Sequence, residues 1–197
     1  MAIKFQYNKT SLQNLEKQLK VRERALPTLK NKESALRSEV KRAKYKFEEL
    51  GKNLEDKLQY YDEMVRLWSE FDSSLIKVKD VDLSVKKIAG VLTPVLEEIH
   101  FDIAPYNPST KPVWFPDGIE ILRELVQVSL ERQVWLRKME LLDHARKKTT
   151  QKVNLYEKVQ IPGFEDAMRK IKRFLEDEEN LSKSAQKIVK TRQEQEV

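Results

Sequence analysis

Between Leu12 and Leu54, core-type residues recur at alternating steps of three and four: Leu12, Leu15, Leu19, Leu26, Leu29, Leu36, Val40, Ala43, Phe47, Leu50 and Leu54. Only Arg22 and Glu33 interrupt the ladder. A 3.5-residue period keeps one narrow apolar stripe on a helix face, so the pattern predicts a coiled-coil seam rather than the broader stripe of a helix lying on a globular core. After Leu54 the steps become four and four through Leu58, then Tyr61, Val65 and Trp68, a stutter that relaxes the supercoil. The helix is expected to run from about residue 9 to about Phe71. Pro27 lies inside it, and because the heptad phase passes through undisturbed, it predicts a mild kink and no break.

The pattern changes from Leu75 to Asp117, where Pro94, Pro105, Pro108, Pro112 and Pro116 fall among short runs rich in Val and Ile. Two short strands are expected, around Val81 to Ile88 and Val95 to Phe101, turning near Gly90 to Pro94. Tyr106 to Pro116 reads as an irregular loop, with Trp114 and Phe115 tucked against the nearest helix. A second helix is expected from Asp117, an N-cap with Glu120 three positions on. Its seam runs Ile121, Leu125, Val128, Trp135, Met139, Leu142, Val153 and Tyr156, with Arg132, Arg146 and Thr149 as polar exceptions. Beyond Pro162 and Gly163 the stripe resumes as Ala167, Ile171, Phe174, Leu181, Ala185 and Ile188.

Two seams of comparable length in one chain should close on each other. The connection between them is folded and cannot also run back along a helix of this length, so the pairing is antiparallel. The fold class is therefore mainly α: a long antiparallel two-helix coiled coil with a small middle region holding a β-hairpin and a loop. The expected divisions are 1–74 for the first helix, 75–116 for the middle and 117–197 for the second helix. Gly51, beside the seam, can admit close approach of the other helix or be a tolerated glycine.

Charge adds direction to this picture. Residues 1–52 hold 14 Lys and Arg against 6 Asp and Glu, residues 53–136 hold 9 against 15, and residues 137–197 hold 15 against 11. An antiparallel hairpin with these balances has a basic tip and an acidic base, suited to two different partners. Charged residues make up 36% of the 197, which favours long exposed helices, and there is no cysteine, so packing alone must hold the fold. With neither a secretory-type apolar run nor a membrane-spanning one, the expectation is a soluble, cytosolic chain.

Candidate chemistry is sparse. There is no glycine-rich phosphate loop, and the two histidines, His100 and His144, are too far apart in the expected fold to cooperate. Glu176 to Glu179 point in different directions on a helix and read as a solvated face beside Arg173 and Lys183. No catalytic, cofactor-binding or metal-ligating residues are expected. A sequence pI near 9.3 raises nucleic-acid binding, but basic and acidic residues alternate and the aromatics mostly occupy seam positions. A generic tethering coiled coil, oligomeric through intermolecular seams, is the stronger alternative.

Three stretches carry a resemblance to a known family: Leu26-Pro27-Thr28-Leu29-Lys30 with Lys32; Ala89-Gly90-Val91 followed by Pro94-Val95-Leu96; and Val153-Asn154 with Glu157, Ile161 and Pro162. In order and separation they resemble the D subunit of the V-type and A-type rotary ATPases, over essentially the whole chain. Gln151-Lys152, Leu155 and Gly163 depart from the family pattern. The resemblance implies a non-catalytic central-stalk subunit without cofactors, peripheral on the cytoplasmic face of the membrane. It also implies partners: the A and B subunits of the catalytic head around the helix ends, and the F subunit with a funnel-shaped adaptor of the membrane ring at the opposite end. Such a shaft would couple ATP hydrolysis or synthesis to proton or sodium transport. Arg22, Arg132, Arg146, Lys147 and Lys148 are the charges expected to matter, either across the seam or toward the head. Pro27, Gly90, Pro94, Asn154, Glu157 and Pro162 are the motif positions expected at contacts.

Overall fold

The computed structural model describes residues 3–62, 65–107 and 111–195; Asp62, Val65, Arg66 and Ser73 are described by backbone alone, and Pro108 of the expected loop lies outside these residues. In chain order the elements are helix α1 (Lys9–Asp62), the single helical turn α2 (Val65–Trp68), strands β1 (Ile76–Ile88) and β2 (Val91–Ile103), and helices α3 (Phe115–Leu155) and α4 (Ile161–Gln195). A π-helical turn, Tyr156–Gln160, joins α3 to α4. The chain is thus mainly helical with one antiparallel hairpin in its middle. It forms two compact units, one of Met1–Glu33 with Lys148–Val197 and one of Ser34–Lys147.

In the first unit, Asn8 caps α1: its Oδ1 accepts the Ser11 backbone N–H at 2.7 Å, satisfying one of the free donors of the opening turn. Pro27 sits within α1, which continues past it. The core is Leu15 against Phe164, Ala167 and Ile171, with Leu12, Leu19, Met168 and Leu175 packed around them. Burying each large apolar side chain contributes roughly 1.5–3 kcal/mol. Leu15 lies by Phe164, Ala167 and Ile171, Arg22 meets Gln160, Lys30 meets Glu157 and Glu33 meets Thr150. Numbers rise on one helix as they fall on the other, so the pairing here is antiparallel. Ile3 and Phe5, ahead of α1, fold back onto the same core.

In the second unit, Leu36 and Leu142 are completely buried, with Ala43 beside them. Val40, Trp135, Met139 and Ala145 surround this core, and Ile88, Ala89 and Val91 close it from the hairpin. Lys57 meets Glu124 at 2.8 Å, again antiparallel. The hairpin turns through two residues, Ala89 (φ 48°) and Gly90 (φ 83°), as Ile88 pairs with Val91. Two successive positive φ values match a type I′ turn, whose twist suits flanking strands. The turn is therefore tighter and earlier than the Gly90 to Pro94 expected. Pro94 stands inside β2 opposite Val85, on a two-stranded sheet where every strand is an edge and a missing donor is tolerated. The strands are also longer than expected, 13 residues each.

Away from the turn, Phe71, Trp68, Trp114 and Phe115 form an aromatic cluster with ring centroids 5.0–5.6 Å apart. Phe115 is buried, as expected for a tucked aromatic, but it is already the first residue of α3 rather than part of a loop. Gly118 is buried against the cluster; a Cβ there would lie 2.8 Å from Trp114 and 3.0 Å from Phe71. The first helix does not reach Phe71. After α2 the chain turns at Ser69 and Glu70, and Asp72 caps a 3-10 turn by accepting the Ser74 N–H, which leaves Phe71 free to enter the cluster.

Candidate functional site

The most elaborate local arrangement in the first unit surrounds the π-turn. Pro162 has no N–H to donate, and in a regular helix its ring would clash with the carbonyl four residues back. The backbone widens by one residue instead: the Ile161 N–H donates to the Tyr156 carbonyl, five positions earlier. Arg22 of α1 meets this turn. Its Nε donates to Gln160 Oε1 at 2.6 Å and its Nη1 to the Gln18 carbonyl at 3.0 Å. Its guanidinium lies 4.6 Å from the Phe164 ring centroid and 5.9 Å from that of Tyr156. Lys30 pairs with Glu157 at 2.6 Å on the exposed side. Ile3 lies against Gly163, where an added Cβ would be 3.0 Å from its Cδ1.

Arg132, in the second unit, stacks over Phe47 at 4.7 Å and occupies the space left by Gly51, where an added Cβ would be 3.3 Å from its Nε. That Nε is buried with no hydrogen-bond partner among the described residues. Gly51 therefore admits a guanidinium. Arg146 is engaged along its own helix, with Nη2 2.7 Å from Asp143 Oδ1, and Lys147 lies 2.9 Å from Asp143 Oδ2. Lys147 first, then Arg146, hold the Asp143 carboxyl below its usual range. Lys148 is exposed.

The seam positions divide by burial. Leu15, Leu36, Leu142, Val153 and Ile171 are buried, while Leu12, Leu19, Leu26, Leu29, Val40, Phe47, Leu50 and Leu54 are half-buried. Ile121, Leu125, Val128, Trp135, Met139 and Tyr156 are also half-buried. Phe174, Leu181 and Ile188 stand 44%, 72% and 56% exposed, so the structure does not enclose them as a pattern-based seam would. For Leu181 and Ile188 the physical reason is the start of α1 at Lys9, which already lies near Glu179 and, behind Lys183, draws down its carboxyl pKa; Phe174 lies before that level, where Leu175 packs on the core instead. Beyond that level α4 has no α1 to receive its stripe. Tyr7 covers part of Phe174, with ring centroids 4.9 Å apart.

Of the motif positions, Pro27, Asn154 and Pro162 are exposed on their helices, Gly90 forms the hairpin turn, and Pro94 is half-buried. The outer face of the hairpin leaves Leu83, Val85 and Leu92 exposed. His100 Nε2 lies 2.9 Å from Asp82 Oδ2, and this contact raises the imidazole pKa. Glu98 completes a group of three whose ligand atoms lie within 4.8 Å of one another. No described helix is long and apolar enough to cross a membrane.

Sequence reading misses Gln160, Ile3 with Gly163, and Asp143. Asp143 is legible in part, since Arg146 and Lys147 follow at the three- and four-residue spacings where helical ion pairs form. Gln160 and Ile3 find their partners only through tertiary packing.

A family model described as the D subunit of ATP synthase matches residues 11–191. A V-type ATP synthase D subunit from Borreliella burgdorferi is 31% identical over 194 residues, covering 95% of this chain and 94% of that protein. One from Chlamydia pneumoniae is 28% identical over 186 residues, covering 90% and 87%. Another, from Chlamydia muridarum, is 26% identical over 157 residues, covering 77% of each chain.

Proposed function

Because this chain belongs to the ATP synthase D-subunit family, a family of non-catalytic central-stalk subunits of rotary ATPases, we propose that it carries torque between the catalytic head and the membrane rotor ring. The ends of both long helices, in the first unit, enter the pore of a ring of alternating A and B subunits. The middle region faces the F subunit and the funnel-shaped adaptor of the membrane ring. The protein sits peripherally at the cytoplasmic face, and turning it couples ATP hydrolysis or synthesis to proton or sodium movement.

The observation that supports this reading best is the continuation of α4 past the start of α1. Leu181 and Ile188 repeat the seven-residue interval of the seam, yet stand uncovered. An apolar stripe on a charged, otherwise solvated helix suits a surrounding sleeve of partner surfaces. A helix pair is asymmetric, and inside a threefold ring it presents a different face to each catalytic interface. Rotation then shifts nucleotide affinity through differential contact, as allosteric coupling requires. The interlocked seam residues, from Leu12 to Leu54 on α1 and from Ile121 to Ile171 opposite, resist relative sliding of the helices. Lys148, exposed and in no ion pair among the described residues, is the charge of the basic group assigned to the head in this reading; Arg146 and Lys147 pair with Asp143.

Removing residues 178–197 tests the reading. Complexes assembled with the shortened chain should retain the F subunit and hydrolyse ATP while losing ATP-driven ion transport. Undiminished transport per ATP hydrolysed would overturn the proposed role of the α4 end.

A further inference from the structure

The π-turn is more than an accommodation of Pro162, because a side chain from the opposite helix is fastened to it. Three observations converge on the stretch from Tyr156 to Phe164. The backbone at Tyr156–Gln160 is one residue wider than an α-turn, sealed by the Ile161 N–H to Tyr156 carbonyl bond. Arg22 holds the last residue of the turn through Gln160 and lies over the rings of Tyr156 and Phe164, at the turn's start and just beyond it. Ile3 occupies the notch left by Gly163 on the following turn.

A helix advances about 100° per residue, so one residue gained or lost in a π-turn rotates everything downstream by roughly that angle relative to everything upstream. Here the downstream residues are Phe164, Ala167 and Ile171, the α4 half of the first core, and the upstream residues include Val153 of α3. The face α4 presents thus depends on the π-turn keeping its extra residue. Pro162 disfavours the regular α form at this point, but it does not fix which side chains face α1. Arg22 adds a bond from α1 to the turn, its Nε donating to Gln160 Oε1 at 2.6 Å in this register.

We propose that Arg22 is a latch on a two-register joint: with the Arg22–Gln160 bond made, α4 is held in the register that buries Ala167 and Ile171, and with it broken the joint relaxes and α4 turns relative to α3. Ile3 on Gly163 is a second, weaker catch on the same joint. The proposal concerns this chain alone and stands apart from the torque-carrying role, which the truncation experiment tests separately.

The chain has no cysteine, so a single introduced thiol reports on one place. Ala167→Cys places a thiol in the core below the joint and Val153→Cys places one above it; both positions are buried. Thiol labelling of the isolated full chain is followed in each, alone and combined with Arg22→Ala or Gln160→Leu. The latch predicts that both latch variants speed labelling at position 167 by tenfold or more and change it less than twofold at position 153. Equal acceleration at both positions means general loosening of the unit and overturns the proposal, as does no acceleration at either. If Arg22→Ala proves too unstable to fold, Gln160→Leu, which removes only the acceptor and keeps the guanidinium over its rings, decides the matter alone.

Discussion

Gly51 offers a prediction whose sign depends on one side chain. In a helix interior, Gly→Ala ordinarily stabilises by about 1 kcal/mol, because the unfolded chain loses freedom and the helix gains a better former. At Gly51 the new Cβ would lie 3.3 Å from Arg132 Nε and 3.6 Å from its Cζ and Nη2, so the guanidinium must move by a few tenths of an ångström. Phe47 lies against that group at 4.7 Å, and a desolvated cation–π contact is worth about 0.5–2 kcal/mol, part of which the displacement forfeits. The two effects nearly cancel. Gly51→Ala is expected to change stability little in the native background and to stabilise by about 1 kcal/mol once Arg132→Ala has emptied the slot. A four-member urea-unfolding cycle measures the difference, and the expected coupling is on the order of 1 kcal/mol. Equal gains in both backgrounds, within about 0.3 kcal/mol, would refute the placement of Arg132 against Gly51.

Leu142→Ala, at a completely buried position, should cost about 2–5 kcal/mol in chemical unfolding, whereas Leu181→Ala, 72% exposed, should cost almost nothing in the isolated chain. His100 should titrate above the usual 6.5 in an NMR experiment and return toward it in Asp82→Asn. Because the folded value is raised, the stabilisation this pair gives is present below pH 6.5 and disappears as pH rises through the folded value, so Asp82→Asn should matter at pH 5.5 and not at pH 9. Glu157→Gln, which breaks a pair exposed on both sides, should destabilise by less than about 1 kcal/mol and by still less in 1 M salt.

The helices are legible because leucine at three- and four-residue steps suits a helix with one buried stripe and little else, and the hairpin because Gly90 punctuates two β-branched runs. Details escape where the signal is not periodic. Pro94 reads as a turn residue since proline rarely sits in a strand, yet a two-stranded sheet has only edges and tolerates it. The outer ends of the strands, Ile76 to Asp80 and Asp102 to Ile103, fall outside the expected bounds although Ile76-Lys77-Val78-Lys79 alternates, because the point where a two-stranded ribbon ends is set by pairing with the other strand, which a single strand's pattern does not show. A stripe on α4 cannot announce where its partner begins, so Leu181 and Ile188 follow the pattern of a seam that α1 is too short to supply, while at Phe174 the core position passes to Leu175. The π-turn is invisible for a different reason: Pro162 states that backbone bonding must change, while Arg22, 138 residues from Gln160, decides what the change is used for.

Rotation itself is the direct measurement. With a bead attached through Val85→Cys, an exposed position on the hairpin, and the A and B subunits fixed to a surface, adding ATP should turn the bead persistently in one direction. A bead that stays still while the head hydrolyses ATP at full rate would contradict the torque-carrying role.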